Sequence, residues 1–176
     1  MALSILPVAS GARRALRFDP MQLARTRTAT GARSEHERAP EVALSRMSVL
    51  LADDHEEFLR LVAQHLKPHF QVIRTVGNGQ AMLDEAARLE PDVVVLDISM
   101  PGLNGIEAAK RLKATGSRAK IVFLTVHADQ DYVRAALRAG AAGYVLKSEL
   151  ASDLLPCLQQ AEVDSPFVSA AISWES

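Results

Sequence analysis

From Ser48 onward, short unbroken apolar runs alternate with stretches whose apolar residues recur every three or four positions. The runs fit strands and the recurring stretches fit amphipathic helices, so the alternation predicts repeated βα units in an α/β fold. Val49-Leu50-Leu51-Ala52 reads as the first strand and ends in Asp53-Asp54. A helix follows with Phe58, Leu61, Val62, His65 and Leu66 on one face, stopped by Pro68. Val72-Ile73 with Val76 is a weaker second strand, and its polar neighbours place it at a sheet edge. Met82, Ala86 and Leu89 form the stripe of the second helix, which Pro91 ends.

Val93-Val94-Val95-Leu96 has no polar alternation, which suits a strand buried on both faces of a parallel sheet. It runs straight into Asp97, and then into Ile98-Ser99-Met100-Pro101-Gly102, where Pro-Gly suits a type II turn. Asn104, with Glu107 three residues on, supplies a cap for a third helix that buries Ile106, Ala109 and Leu112. Ile121-Val122-Phe123-Leu124 is the fourth strand and ends in Thr125. The fourth helix buries Val133, Ala136 and Leu137 and ends at Gly140, a left-handed cap. Tyr144-Val145-Leu146 is the fifth strand and ends in Lys147. A fifth helix uses Leu150, Leu154, Leu158 and Ala161, and tolerates Pro156 only by starting near Ser152. From Asp164 to Ser176 the period fades, and Phe167, Val168, Ile172 and Trp174 either pack back on the domain or belong to a linker.

Composition refines this picture in two places. The chain of 176 residues has one cysteine, Cys157, which excludes an internal disulfide and a thiolate zinc cluster and fits a reducing, cytoplasmic compartment. Its net charge of −1 hides an asymmetry: residues 1–46 hold eight Arg and four acidic residues, whereas the remainder is acidic on balance. An acidic folded part is a poor nucleic-acid binder, and no apolar run reaches the roughly 18 residues of a membrane span. Residues 1–46 lack a sustained period and read as a disordered Arg-rich extension, a transit peptide and an anion-binding arm being its functional alternatives. Met47, just before the first strand, would serve as a translation start.

Right-handed crossovers bring the C-terminal ends of parallel strands to one edge of the sheet. Four of the five predicted strands end there in Asp53-Asp54, Asp97, Thr125 and Lys147. Any one of these alone could merely end a strand, but the set assembles a chemistry. Carboxylates about 4 Å apart at an effective dielectric near 20 repel by about 4 kcal/mol. A divalent cation relieves this, and an oxygen-only set describes Mg²⁺ rather than zinc. With Lys147 and the Thr125 hydroxyl, such a site stabilises the charge of a phosphoryl group in transfer. Asp97, on the central strand, is the better nucleophile, and Asp53 and Asp54 are the better metal ligands.

These residues, with Met100-Pro101-Gly102 and Gly105, resemble the receiver domain of bacterial two-component response regulators over residues 47–163. The resemblance implies a flavodoxin-like (βα)5 fold, a doubly wound five-stranded parallel sheet of order 2-1-3-4-5. It implies Asp97 as phosphoacceptor from a sensor histidine kinase or phosphotransfer protein, with self-catalysed transfer rather than conventional enzyme turnover. Mg²⁺ would be held by Asp53, Asp54, Asp97 and the backbone carbonyl of Ser99. Lys147 would pair with the phosphoryl group, and Thr125 and Tyr144 would be switch residues, the ring turning inward. Ser99 and His127, each two residues past a site residue, are expected to tune acyl-phosphate lifetime, exposed loop residues being the alternative. His55 and Glu56 are expected to be solvated residues at a helix start, an outer-shell role being the alternative.

Leu124-Thr125-Val126-His127, Gly140 to Lys147, and Pro166-Phe167-Val168-Ser169 look like the subfamily that ends in a LuxR-type helix-turn-helix, which does not follow here. The expectation is a stand-alone receiver that switches an interaction face of helix 4, strand 5 and helix 5 toward a downstream protein or a second copy. Competing readings are a truncated transcription regulator, a phosphorylation-independent docking module, and an aspartate phosphohydrolase. The last would want an acid where Ser99 stands.

Overall fold

The computed structural model describes residues 46–160 and 165–172. Its elements run β1 (Ser48–Ala52), α1 (Glu56–Leu66), β2 (Gln71–Val76), α2 (Gly79–Leu89), β3 (Val93–Leu96), α3 (Gly105–Ala114), β4 (Lys120–Thr125), α4 (Gln130–Arg138), β5 (Ala141–Leu146), a 3-10 turn (Lys147–Glu149), α5 (Leu150–Gln160) and β6 (Phe167–Val168). All neighbouring strands pair in parallel, in the order β2-β1-β3-β4-β5-β6. The expected order 2-1-3-4-5 holds, and a short sixth strand extends it.

Alternation along each strand sends side chains to two separate cores. Leu50, Val94, Ile121 and Phe123 meet Met82, Ala108, Leu112 and Val133 of α2, α3 and α4 on one face. Val49, Leu51, Val95 and Val122 meet Leu59, Val62, Leu66, Leu154 and Leu158 of α1 and α5 on the other. Helices on both faces explain why β3 carries no polar position, whereas the edge strands β2 and β6 are only partly buried. Cys157 is buried in the second core, where lost solvation, with Asp153 nearby, pushes its thiol up to about 12 and removes it from thiolate chemistry. Among the described residues no helix is long and apolar enough to cross a membrane.

Two expectations are corrected. The buried stripe of α1 is Leu59, Val62 and Leu66, whereas Leu61 is 52% exposed. Both stripes satisfy the three-and-four spacing, so the period alone could not choose the rotation of the helix. Helix α5 starts at Leu150 rather than near Ser152, directly after the 3-10 turn, so Pro156 lies inside it. The Ser152 carbonyl thereby loses its helical donor, and the buried residues Leu150, Leu154, Cys157 and Leu158 hold the helix regardless. The expected five strands are joined by a short sixth, because Phe167 and Val168 pair with Gly143 and Tyr144. The extension expected over residues 1–46 lies, apart from Arg46, outside the described residues, as do Ala161 and Trp174.

At the opposite end of the sheet from Asp97, Ser48 and Asp92 lock β1 to the loop before β3. The Ser48 N–H and hydroxyl both donate to Asp92 Oδ2 at 2.7 Å, and the Asp92 N–H donates to Ser48 Oγ at 3.0 Å. Those hydrogen bonds hold the Asp92 carboxyl below the usual carboxylate range. A depressed folded pKa stabilises above the unfolded value of about 3.9, and that contribution is lost as pH falls through the folded value. Asp92→Ala is therefore expected to cost about 1 kcal/mol at pH 7, the exposed position limiting the loss. In paired urea titrations the gap between the two proteins should close toward pH 2; a gap unchanged there would refute this assignment.

Candidate functional site

The ends of β1, β3, β4 and β5 converge as their sequence implies, and the ladder itself aims them. The Asp97 N–H donates to the Ala52 carbonyl at 2.8 Å, and the Asp53 N–H to the Val76 carbonyl at 3.1 Å. Asp53 and Asp97 are 4% and 3% exposed, and Thr125 is wholly buried. Lys147 leaves the end of β5 and brings the two carboxylates together. Its Nζ lies 2.5 Å from Asp53 Oδ2 and 3.2 Å from Asp97 Oδ2. The Phe58 ring lies 4.6 Å from the same ammonium, so the charge rests over an aromatic face.

The second Asp97 oxygen is fixed as well, since Oδ1 accepts the Ile98 N–H at 2.8 Å. Past it the chain turns through Gly102, whose φ of +76° is a conformation glycine adopts freely. The Gly105 N–H then returns to the Ile98 carbonyl at 2.9 Å, and Asn104 Oδ1 caps α3 by accepting the Glu107 N–H at 2.9 Å. The cap expected from Asn104 and Glu107 thus forms by way of the Glu107 backbone.

Asp54 sits on the outer side of this group. Donor atoms of Asp53, Asp54 and His55 lie within 4.8 Å of one another. His55 Nδ1 is 2.8 Å from Asp54 Oδ1 and 3.3 Å from Asp53 Oδ1. Asp97 joins Asp53 through the Lys147 ammonium and is not part of that cluster. Three carboxylates against one lysine leave an excess of negative charge, and carboxylate and carbonyl oxygens suit a hard divalent cation. The residues present therefore fit Mg²⁺, with His55 drawing on the same oxygens.

Thr125 and Tyr144 meet on the loop that follows β4. The His127 N–H donates to Thr125 Oγ1 at 3.5 Å, and the Tyr144 hydroxyl donates to the His127 carbonyl at 2.8 Å. Tyr144 points inward and is wholly buried. Burial, with smaller contributions from Tyr132, Asp97 and Asp129, pushes its phenol well above the ordinary value. Ser99 Oγ and His127 Nε2 lie 2.7 Å apart, joining the loops after β3 and β4, and the His127 ring stacks on Tyr132 at 4.1 Å.

Sequence reasoning gave no site role to Phe58 or to the Ile98 N–H. Nothing in the local pattern separates Phe58 from a core residue. The nearness of His55 to both aspartates had one visible signal, its place directly after the doublet.

A family model described as the response regulator receiver domain matches residues 49–159. The nitrate/nitrite response regulator protein NarL of Escherichia coli K12 is 34% identical over 128 residues, which cover 72% of this chain and 59% of that protein. The transcriptional regulatory protein LiaR of Bacillus subtilis is 34% identical, with coverage of 71% and 60%. The chain thus spans about 60% of the length of these relatives. Among solved structures, the isolated receiver domain of RcsB from Salmonella enterica serovar Typhimurium with phosphomimetic BeF3⁻ superposes with a TM-score of 0.67 at 26% identity. That match covers 73% of this chain and 96% of the other. The signal receiver domain of the putative response regulator NarL from Mycobacterium tuberculosis gives a TM-score of 0.60 at 28% identity, covering 65% and 98%.

Proposed function

Because this chain belongs to the response regulator receiver domain family, we propose that it accepts a phosphoryl group on Asp97 from a sensor histidine kinase or phosphotransfer protein. The observation that carries this reading is the Lys147 ammonium held between the Asp53 and Asp97 carboxylates at the buried sheet edge. In the transfer an Asp97 carboxylate oxygen attacks phosphorus, the bond to the donor breaks, and the leaving group departs with its electron pair. Asp53, Asp54, Asp97 and the Ser99 carbonyl would hold Mg²⁺, which supplies charge neutralisation for the phosphoryl oxygens when bound. Lys147 contributes a second fixed positive charge, and Thr125 a hydroxyl. Acetyl phosphate with Mg²⁺, followed by intact mass measurement, tests the reading: one added phosphoryl group is expected, and none refutes it.

Removing the ammonium separates its two roles. Lys147→Met is expected to slow transfer by about 10²-fold. It also leaves Asp53 and Asp97 repelling without compensation, a cost of a few kcal/mol that Mg²⁺ relieves. Mg²⁺ should therefore raise the variant's melting temperature more than that of the wild type. Equal shifts in the two proteins would refute the charge-bridge assignment.

The output we infer is a change at the face of α4, β5 and α5 that engages a downstream protein or a second copy, in a cytoplasmic setting. Driving such a two-state change from mostly off to mostly on takes about 5.5 kcal/mol of differential binding. New bonds from Thr125 and Lys147 to the phosphoryl oxygens are the natural source. A DNA-binding output is the second reading, favoured by relatives named as transcriptional regulators. A helix-turn-helix in the coding sequence downstream of Ser176 would decide for it.

A further inference from the structure

Strand β6 and the turn after it have no part in the chemistry above, yet they bond directly to the end of β5 that carries the chemistry. Phe167 and Val168 pair with Gly143 and Tyr144. Beyond the pairing, the Ser169 N–H donates to the Tyr144 carbonyl at 2.9 Å, and Ser169 Oγ accepts the Leu146 N–H at 3.2 Å. Ser169 is wholly buried. The Ile172 N–H closes a turn onto the Ser169 carbonyl at 3.0 Å. Ile172, 5% exposed, lies in the same apolar cluster as Tyr144 and Val133, and Val168 packs against that cluster.

Leu146 immediately precedes Lys147, so the Ser169 hydroxyl fixes the backbone from which the bridging ammonium extends. Without that hydroxyl the buried Leu146 N–H has no acceptor, and an orphaned buried donor is costly enough to move the strand end. Tyr144 is affected from two sides, because its carbonyl is held by Ser169 and its ring shares a core with Val168 and Ile172. We propose that Ser169 is a positioning residue that fixes the Tyr144–Lys147 end of β5, so that docking of Phe167–Ile172 and phosphorylation of Asp97 are coupled. The coupling to Asp97 rests on the phosphoacceptor reading; the hold on Tyr144 does not.

The test uses Ser169→Ala in the full chain, with Ile172→Ala in its place if that variant does not fold. Transfer from acetyl phosphate is expected to slow about tenfold. The fluorine resonance of labelled Tyr144 should shift, while that of Tyr132 stays. By linkage, phosphorylation of the wild type should slow amide exchange over residues 167–172, and the same treatment of Asp97→Asn should not. A merely structural role would lower the melting temperature and move none of these readouts. A wild-type transfer rate together with an unshifted Tyr144 resonance overturns the proposal. So does unchanged exchange in wild type that mass measurement shows to be phosphorylated. If the wild type takes up no phosphoryl group, the proposed function falls, and the Tyr144 resonance alone still judges the positioning role.

Discussion

Asp97→Asn is expected to take up no phosphoryl group from acetyl phosphate and Mg²⁺ under conditions in which the wild type takes up one. The carboxamide offers no anionic oxygen for attack on phosphorus, so the loss should exceed 10³-fold and fall below detection by intact mass. The variant should still fold. Its amide oxygen can accept the Ile98 N–H that Oδ1 now accepts at 2.8 Å. It also removes one of the two carboxylates bridged by Lys147, leaving the ammonium paired with Asp53 at 2.5 Å. Melting should therefore shift by no more than about 1 kcal/mol in equivalent stability. That separates a missing nucleophile from a collapsed site. Phosphorylation persisting in the variant would place the acceptor elsewhere, and the exposed Asp54 would be the next residue to substitute.

What the sequence disclosed and what it withheld divide along physical lines. The strand ends were legible because an apolar run followed at once by a charged or hydroxyl residue marks both the burial and its limit. Val93 to Leu96 with Asp97, and Tyr144 to Leu146 with Lys147, show this directly. The parallel topology then gathers those ends without further information. Helix rotation was not legible, since Leu59 and Leu61 both keep the period of α1 and only packing against β1 and β3 separates them. Strand β6 was ambiguous because two residues are too few for a period, and a strand so short exists only by pairing with the free edge of β5. Contacts between distant loops, such as Ser99 with His127 and His127 with Tyr132, follow from the placement of the loops, which no local pattern encodes. For Tyr144 the position in sequence implied an aromatic packed on the sheet face, and only the family resemblance implied a moving ring. Its inward position is set by the His127 carbonyl and by the apolar cluster it shares with Ile172.

Gly105→Ala is the substitution expected to cost the most stability, and its reason lies within the site. A Cβ at position 105 would stand 2.0 Å from the Asp97 carbonyl oxygen, 2.9 Å from its carbonyl carbon and 3.0 Å from Ile98 Cα. All three are backbone atoms, so no side-chain rotation relieves the clash. Relief requires α3 to withdraw or the Asp97–Ile98 peptide to move. The first breaks the Gly105 N–H bond to the Ile98 carbonyl, and the second displaces the nucleophile from Lys147. Alanine's better helix propensity returns about 1 kcal/mol, against a clash of several kcal/mol at a site that cannot yield. The net loss should be about 3 kcal/mol or more by urea unfolding, with phosphorylation impaired in whatever fraction remains folded. Gly116→Ala is the matched control: its φ of +80° is strained for alanine, but nothing lies within 4 Å of the added carbon. It should cost about 1–2 kcal/mol and leave phosphorylation intact. Equal costs for the two substitutions would mean that the close approach of α3 to Asp97 is not what requires glycine at position 105.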